Sequence, residues 1–178
     1  MIYIFLADGF EEVEALVPLD ILRRANLDVV TVGVTGEFVT GAHNITVKAD
    51  IALSDVKFEN IDAVILPGGL GGTENLDKNE IVKNAVKYAD DNKKLVCAIC
   101  AAPSILGKMG LLNGKKATCY PGFEDTFDGG CYVKQSVVKC DNFITSDGMG
   151  SAYKFGFEIV AALCGADKAE EIKEQIQY

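Results

Sequence analysis

Positive charge is scarce in this chain of 178 residues. Lys and Arg contribute 17 side chains against 26 from Asp and Glu, which gives a formal net charge of −9 at pH 7. This excess of negative charge repels phosphate backbones and anionic lipid surfaces. The composition therefore argues against nucleic acid or a membrane surface as the main partner.

Long apolar runs and a basic leader are also missing. The opening segment Met1–Ala7 is too short for a spanning helix and lacks the basic residues of a secretory signal. We therefore expect a cytoplasmic protein. Because 49% of the residues are hydrophobic, the chain can bury one substantial core, and we expect a single domain over residues 1–178.

Histidine occurs once, at position 43, so only this residue could serve as the base of a Cys-His or Ser-His dyad. Cysteine occurs six times, and without export we expect reduced thiols. Cys97 and Cys100 form a C-x-x-C pair, which leaves a thioredoxin-like redox pair open as an interpretation. A zinc site is disfavoured because Cys119 and Cys131 do not form a second close pair.

Short apolar runs alternate with amphipathic stretches along the chain. Five of these runs are predicted as buried strands: Ile2–Ala7, Val29–Val34, Ala63–Leu66, Leu95–Ile99 and Phe143–Thr145. Buried strands interleaved with helices indicate a doubly wound α/β fold, with a mostly parallel sheet covered by helices on both faces. One such helix is predicted over Leu76–Asp91, with an apolar stripe formed by Ile81, Val82, Ala85, Val86 and Ala89.

Two further segments have patterns of their own. Apolar and polar residues alternate between Glu37 and Leu53, which predicts a half-exposed antiparallel excursion. The segment Gly150–Leu163 is apolar almost all round and is predicted as a helix that stops at Gly165. Asp167 and Glu170 then resemble the capping box of a final helix.

Cys100 lies where a predicted strand turns into a helix, whose start is marked by Pro103. The residues two positions away on either side, Ala98 and Ala102, are small, as in the strained elbow that presents the nucleophile of hydrolases. A helix N-terminus favours the thiolate form of a cysteine placed there. The alternative interpretation is that Cys100 is a small buried hydrophobic residue.

A glycine-rich loop, Pro67–Gly72, follows the strand Ala63–Leu66. Ligands of open parallel sheets bind beyond the carboxyl ends of the strands, so this loop and Cys100 are expected to lie at the same edge. Glycines allow backbone N–H groups to approach a ligand closely, which suits an oxyanion site. A dinucleotide loop is less favoured because the G-x-G-x-x-G spacing is absent, and a plain tight turn stays open.

Acidic residues crowd the loop after the first strand. Glu11 and Glu12 are expected to face solvent at a helix start. Glu14 lies beside Val13 and Leu16 on a stretch that must turn inward to pack. A buried carboxyl tends to be protonated and could then donate a hydrogen bond to a thiolate. The lone His43 is expected at the surface, far in sequence from Cys100.

Together these motifs resemble the ThiJ/PfpI superfamily, in the branch of the Parkinson-disease-linked protein deglycase and its bacterial relatives. The resemblance extends over the whole chain. It rests on four segments in order: Gly9–Glu14 with Pro18–Asp20 and Arg23-Arg24, Leu66–Gly69, Ala98–Pro103 and Thr145–Gly148. One departure is Tyr120, which precedes Pro121 where many relatives have a histidine; a phenol is a poor base at neutral pH.

The resemblance implies a flavodoxin-like, glutamine-amidotransferase-like fold and a homodimer. It implies a nucleophile at Cys100, a protonated partner at Glu14, and backbone N–H groups of Gly69 and Ala101 that stabilise negative charge. It further implies a hydrolase or lyase of the glyoxalase III or protein deglycase type, which converts 2-oxoaldehydes or glycated groups without metal or cofactor. The alternative is a non-enzymatic oxidative-stress sensor or chaperone that uses oxidation of Cys100.

Overall fold

A seven-stranded sheet forms the centre of the protein, whose computed structural model describes residues 1–178. The strands are β1 Ile2–Leu6, β2 Val29–Gly33, β3 Phe38–Thr40, β4 Thr46–Lys48, β5 Ile51–Ala52, β6 Ala63–Leu66, β7 Leu95–Ile99, β8 Lys116–Ala117, β9 Cys131–Tyr132, β10 Val137–Cys140 and β11 Phe143–Ser146. The central sheet has the order β10-β11-β7-β6-β1-β2-β5, and only the edge pair β10 and β11 is antiparallel.

Helices cover both faces of this sheet. They are α1 Glu12–Arg24, α2 Leu70–Asp77, α3 Glu80–Asp91, α4 Pro103–Lys108, α5 Ala152–Cys164 and α6 Ala166–Gln175. The first, fifth and sixth helices bury one apolar core against the sheet, and the second, third and fourth bury another. Alternate residues of β1 point to opposite cores, with Ile4 in the first and Phe5 in the second. None of the helices has the length and apolarity needed to cross a bilayer.

The prediction of a doubly wound α/β fold is confirmed, and so are its five strands to within a residue or two at their ends. The chain places β2 and β5 on one side of β1, and β6, β7 and β11 on the other. The strand order therefore reverses between β1 and β6, and this is the point where ligands of such sheets bind. The carboxyl ends of β1, β6 and β7 lie side by side there.

The predicted helix over Leu76–Asp91 is wrong at its start. Helix α2 ends at Asp77 and α3 begins at Glu80, because the side chain of Asn79 accepts hydrogen bonds from the N–H groups of Ile81 and Val82 at 3.0 and 3.2 Å. Val82 and the later members of the predicted stripe are buried, but Ile81 is 42% exposed. Ile81 precedes Val82 by about 100° around the helix and lies off the buried stripe.

The excursion predicted between Glu37 and Leu53 is only partly correct. Strands β3 and β4 form an antiparallel hairpin, as expected. Ile51 was assigned to the same alternation, but β5 instead joins the central sheet parallel to β2. The cause is Asp50, whose carboxylate accepts hydrogen bonds from the N–H and the hydroxyl of Thr31, both at 2.8 Å, and so holds the chain against β2.

A single residue, Gly165, determines where α5 ends and α6 begins. Helix α5 stops at Gly165, as predicted, and this glycine has a φ of +92°. Gly165 is also the first flanking residue of α6, and Asp167 already lies inside the first turn. The predicted capping box of Asp167 and Glu170 is therefore wrong, because the glycine leaves no side chain at the capping position.

Substitutions of Leu76 and Ile81 test which side chains belong to the core beneath α2, α3 and α4. Leu76 is fully buried, so Leu76→Ala should lower the free energy of unfolding by about 2–5 kcal/mol through lost burial and a residual cavity. Ile81→Ala should change it by less than about 1 kcal/mol, because the side chain is partly exposed. Urea denaturation of both variants measures the difference, and equal losses would contradict the described packing of α2 and α3.

Candidate active site

Three loops meet at the carboxyl edge of the sheet, where the strand order reverses. They follow β1, β6 and β7, and they enclose a cavity of about 520 Å³. Gly9 and Glu11 line it from the first loop, Gly69 from the second, and Cys100 from the third. The expectation that the glycine-rich loop and Cys100 share one edge is confirmed.

Cys100 occupies a strained turn. Its φ is +64°, a left-handed conformation that costs a non-glycine residue on the order of 1–3 kcal/mol. Two backbone hydrogen bonds hold the turn: the N–H of Cys100 donates to the carbonyl of Ser146 at 2.9 Å, and its carbonyl accepts from the N–H of Tyr120 at 2.8 Å. Strand β7 ends just before this residue, and α4 begins at Pro103, as the sequence predicted. The thiol is half-buried at the floor of the cavity.

Glu14 turns inward from α1 and is only 1% exposed, as expected. Its Oε2 atom accepts a hydrogen bond from the N–H of Gly68 at 2.9 Å, and its carboxyl also bonds with the thiol of Cys100. Burial raises the pKa of Glu14 from 4.5 to about 7, although the bonds with Cys100 and Gly68 work in the opposite direction. Close to neutral pH, the protonated and ionised forms of this carboxyl are therefore both populated.

Cys100 differs from expectation in its ionisation. Burial, followed by the charge of Glu14 and the hydrogen bond with it, raises the pKa of the Cys100 thiol to about 12. The N–H groups of Gly69 and Ala101 favour the thiolate and oppose this rise. The backbone beside the helix start therefore acts in the predicted direction, but burial and Glu14 outweigh it. Protonation of Glu14 removes its negative charge and lessens the rise.

The glycines of the second loop are required by close contacts. A Cβ atom on Gly68 would lie 2.5 Å from Oε2 of Glu14 and 2.6 Å from the Cβ of Cys100. Gly69 has a φ of +85°, and a Cβ there would clash with the carbonyl oxygen of Gly9. The loop is thus more than a plain turn, because its N–H groups reach both Glu14 and Cys100.

Glu12 was predicted to face solvent, and this is wrong. The side chain is buried and accepts hydrogen bonds from the N–H groups of His43 and Ile45 and, at 2.9 Å, from the ring of His43. Burial disfavours the ionised form of Glu12, but these bonds outweigh it and lower its pKa. The bond with Glu12 and the charge of Glu11 raise the pKa of His43. His43 is exposed, as expected, but it ties the hairpin to α1 beside the cavity.

One group of side chains near the cavity could hold a metal ion. Donor atoms of Glu11, Glu12 and His43 lie within 4.8 Å of one another, a spacing that could hold a cation. Both oxygens of Glu12 already accept hydrogen bonds, so the burial of this group is explained without an ion.

All six cysteines are free, and Cys97 is fully buried in β7, where burial raises its pKa. A Cys97–Cys100 redox pair is therefore disfavoured.

Large apolar side chains also line the cavity, and Phe123 and Met149 among them were not predicted from the sequence. These side chains are Leu70, Tyr120, Phe123 and Met149. The only sign in the sequence that Met149 could line the site is its position just after the carboxyl end of β11, at the edge of the sheet where ligands bind. Tyr120, noted above as a departure, stands at the mouth with its ring half-exposed.

Comparison with known proteins places these features in a family. The model of the DJ-1/PfpI family matches residues 1–162. The protein dj-1beta of Drosophila melanogaster is 37% identical over 172 residues, which cover 95% of this chain and 92% of that protein. The crystal structure of Drosophila DJ-1beta has a TM-score of 0.94 at 35% identity and covers 99% of this chain and 96% of its own.

Two similar proteins carry names that state an activity. A glutathione-independent glyoxalase of Caenorhabditis elegans is 34% identical over 164 residues, covering 91% of this chain and 87% of that protein. A deglycase of Pyrococcus abyssi is 33% identical over 164 residues, covering 91% of this chain and 98% of that protein.

Glu14→Gln tests the buried carboxyl through its effect on stability. The pKa of Glu14 rises from 4.5 to about 7 in the fold, so the folded state keeps a proton that the unfolded chain has released. The wild-type protein should therefore lose stability relative to Glu14→Gln by roughly 3 kcal/mol as the pH rises from about 5 to about 8. Urea denaturation across this range measures the difference.

The matched control is Glu59→Gln, which removes a carboxyl from an exposed position. Its stability should differ from that of the wild type by the same amount at every pH in this range. A flat difference for Glu14→Gln as well would contradict a raised pKa of Glu14.

Proposed function

Because the chain belongs to the DJ-1/PfpI family, we propose that it is a cysteine-dependent, cofactor-free enzyme that converts 2-oxoaldehydes such as methylglyoxal to hydroxy acids. The observation that carries this proposal is that the half-buried Cys100, the buried carboxyl of Glu14 and the backbone of Gly69 and Ala101 line one cavity. The same carboxyl and the N–H groups of Gly69 and Ala101 act on the ionisation of the Cys100 thiol. The names of the glyoxalase and deglycase relatives support the same class of carbonyl chemistry.

The reaction begins at the aldehyde carbon. The sulfur of Cys100 bonds to this carbon, and the thiol proton passes through Glu14 to the aldehyde oxygen, which gives a hemithioacetal. The Glu14 carboxylate then removes the proton from that carbon and returns it to the neighbouring ketone carbon, while the ketone oxygen gains a proton and the hemithioacetal oxygen loses one. The product of this step is a thioester on Cys100. Water cleaves the thioester, releases the hydroxy acid and restores the thiol.

The backbone N–H groups at the site have a defined role in this reaction. Negative charge develops on the substrate oxygen during addition and again during hydrolysis. The N–H groups of Gly69 and Ala101 lie beside the Cys100 sulfur, so they would stabilise an oxyanion formed on the carbon bonded to it. Glu14 suits proton transfer in both directions because its pKa of about 7 lies close to the working pH.

Turnover of methylglyoxal by the purified protein tests the proposal. Cys100→Ser should abolish it, since a hydroxyl at this position lacks the reactivity of the thiol. Cys164→Ser is the matched control, because Cys164 is exposed at the end of α5, and it should keep the wild-type rate. Conversion that persists in Cys100→Ser would overturn the proposal. If the wild type is inactive but Cys100 is the first thiol oxidised by mild peroxide, the alternative of a redox sensor is favoured.

A homodimer is part of the same proposal. Helix α1 presents the apolar side chain of Val13 to solvent, next to the half-buried Leu16 and Val17. A second copy of the chain packed on this helix would cover them and would steady the helix that carries Glu14. Light scattering should give twice the monomer mass of 19.1 kDa at micromolar concentration. A stable monomer would contradict the expectation.

A further inference from the structure

The mouth of the Cys100 cavity exposes large apolar side chains that the proposed chemistry does not use. Leu70 is 74% exposed, Met149 is 53% exposed, and the ring of Tyr120 is half-exposed. Phe123 lines the same cavity, and we call these four residues the apolar wall. Exposed apolar side chains that line one cavity with a reactive group are typical of a binding site.

The cavity is larger than methylglyoxal requires. Its volume of about 520 Å³ lies within the range of sites that enclose ligands of drug size. Methylglyoxal carries a single methyl group beside its two carbonyls. When its aldehyde carbon is bonded to the sulfur of Cys100, that methyl group leaves most of the apolar wall in contact with water.

The charged side chains that line the cavity are all acidic. They are Glu11 and Glu14. The ring of His43 approaches Glu11 at 3.6 Å, but it also pairs with Glu12 at 2.9 Å, so one positive charge at most is shared between two carboxylates. A substrate whose chain ends in a carboxylate would meet repulsion from these acidic side chains and would lose hydration against the apolar wall.

Resting on the proposed function, we propose that the site selects neutral 2-oxoaldehydes whose ketone bears an alkyl chain of several carbons. The aldehyde reacts at Cys100 by the steps given above, and the alkyl chain lies against Leu70 and Met149. These two residues determine specificity through apolar contact with the chain.

Steady-state kinetics with three related substrates test this selection. Isobutylglyoxal keeps the dicarbonyl group of methylglyoxal and adds a branched chain, and its kcat/KM should be at least about tenfold higher. Dioxovalerate, a 2-oxoaldehyde whose chain ends in a carboxylate, should be the poorest of the three. Equal values for isobutylglyoxal and methylglyoxal would overturn the proposal.

Variants of the apolar wall assign the effect to its residues. Leu70→Ala and Met149→Ala should each lower the ratio of kcat/KM for isobutylglyoxal to kcat/KM for methylglyoxal by about threefold to tenfold. Ile81→Ala is the matched control, because it trims a partly exposed apolar side chain of α3 that does not line the cavity. In Ile81→Ala, the ratio of kcat/KM for isobutylglyoxal to kcat/KM for methylglyoxal should equal that of the wild type.

A binding measurement separates this inference from the proposed function. The chain has three methionines, Met1, Met109 and Met149, of which only Met149 lines the cavity. With ¹³C-labelled methionine methyl groups, titration of the wild type with the unreactive methyl isobutyl ketone should shift the Met149 signal alone. If this shift occurs without any turnover, the apolar site stands and the proposed reaction fails. If turnover occurs but the Met149 signal does not move, the apolar site is refuted.

Discussion

The buried carboxyl of Glu14 is the constraint on which the rest of the site depends. A buried ionisable group is tolerated only when its oxygens have hydrogen-bonding partners. Here the partners are the N–H of Gly68 and the thiol of Cys100, which follow the neighbouring strands β6 and β7. The carboxyl thus joins α1 to two strand ends, requires glycine at position 68, and makes the ionisation of the thiol depend on its own proton.

The strained backbone of Cys100 is maintained by segments far away in the chain. Its N–H and carbonyl groups are bonded to Ser146 and Tyr120, so the end of β11 and the loop after β8 both hold the turn. Strain of this kind persists only where the surroundings leave no alternative. It directs the sulfur toward the cavity, whereas Cys97, three residues earlier in β7, stays within the core.

The small hairpin of β3 and β4 also becomes part of the site. Glu12 binds it through His43 and Ile45, and the N–H of Ala42 donates to the carbonyl of Phe10 at 2.8 Å. These bonds bring Ala42 to the wall of the cavity. The cavity is therefore lined both by acidic side chains, Glu11 and Glu14, and by large apolar side chains, among them Tyr120 and Met149.

The sequence by itself determined the five central strands, the turn at Cys100, the glycine-rich loop and the inward position of Glu14. Each of these follows from residues close together in the chain: apolar runs, small residues around a turn, and the apolar neighbours of one carboxyl. Only the tertiary structure decided that Glu12 is buried, that β5 joins the central sheet, that Met149 lines one cavity with Cys100, and that the pKa of the thiol rises. These features depend on contacts between distant segments and on the exclusion of water from the space between them, which no local pattern of residues records.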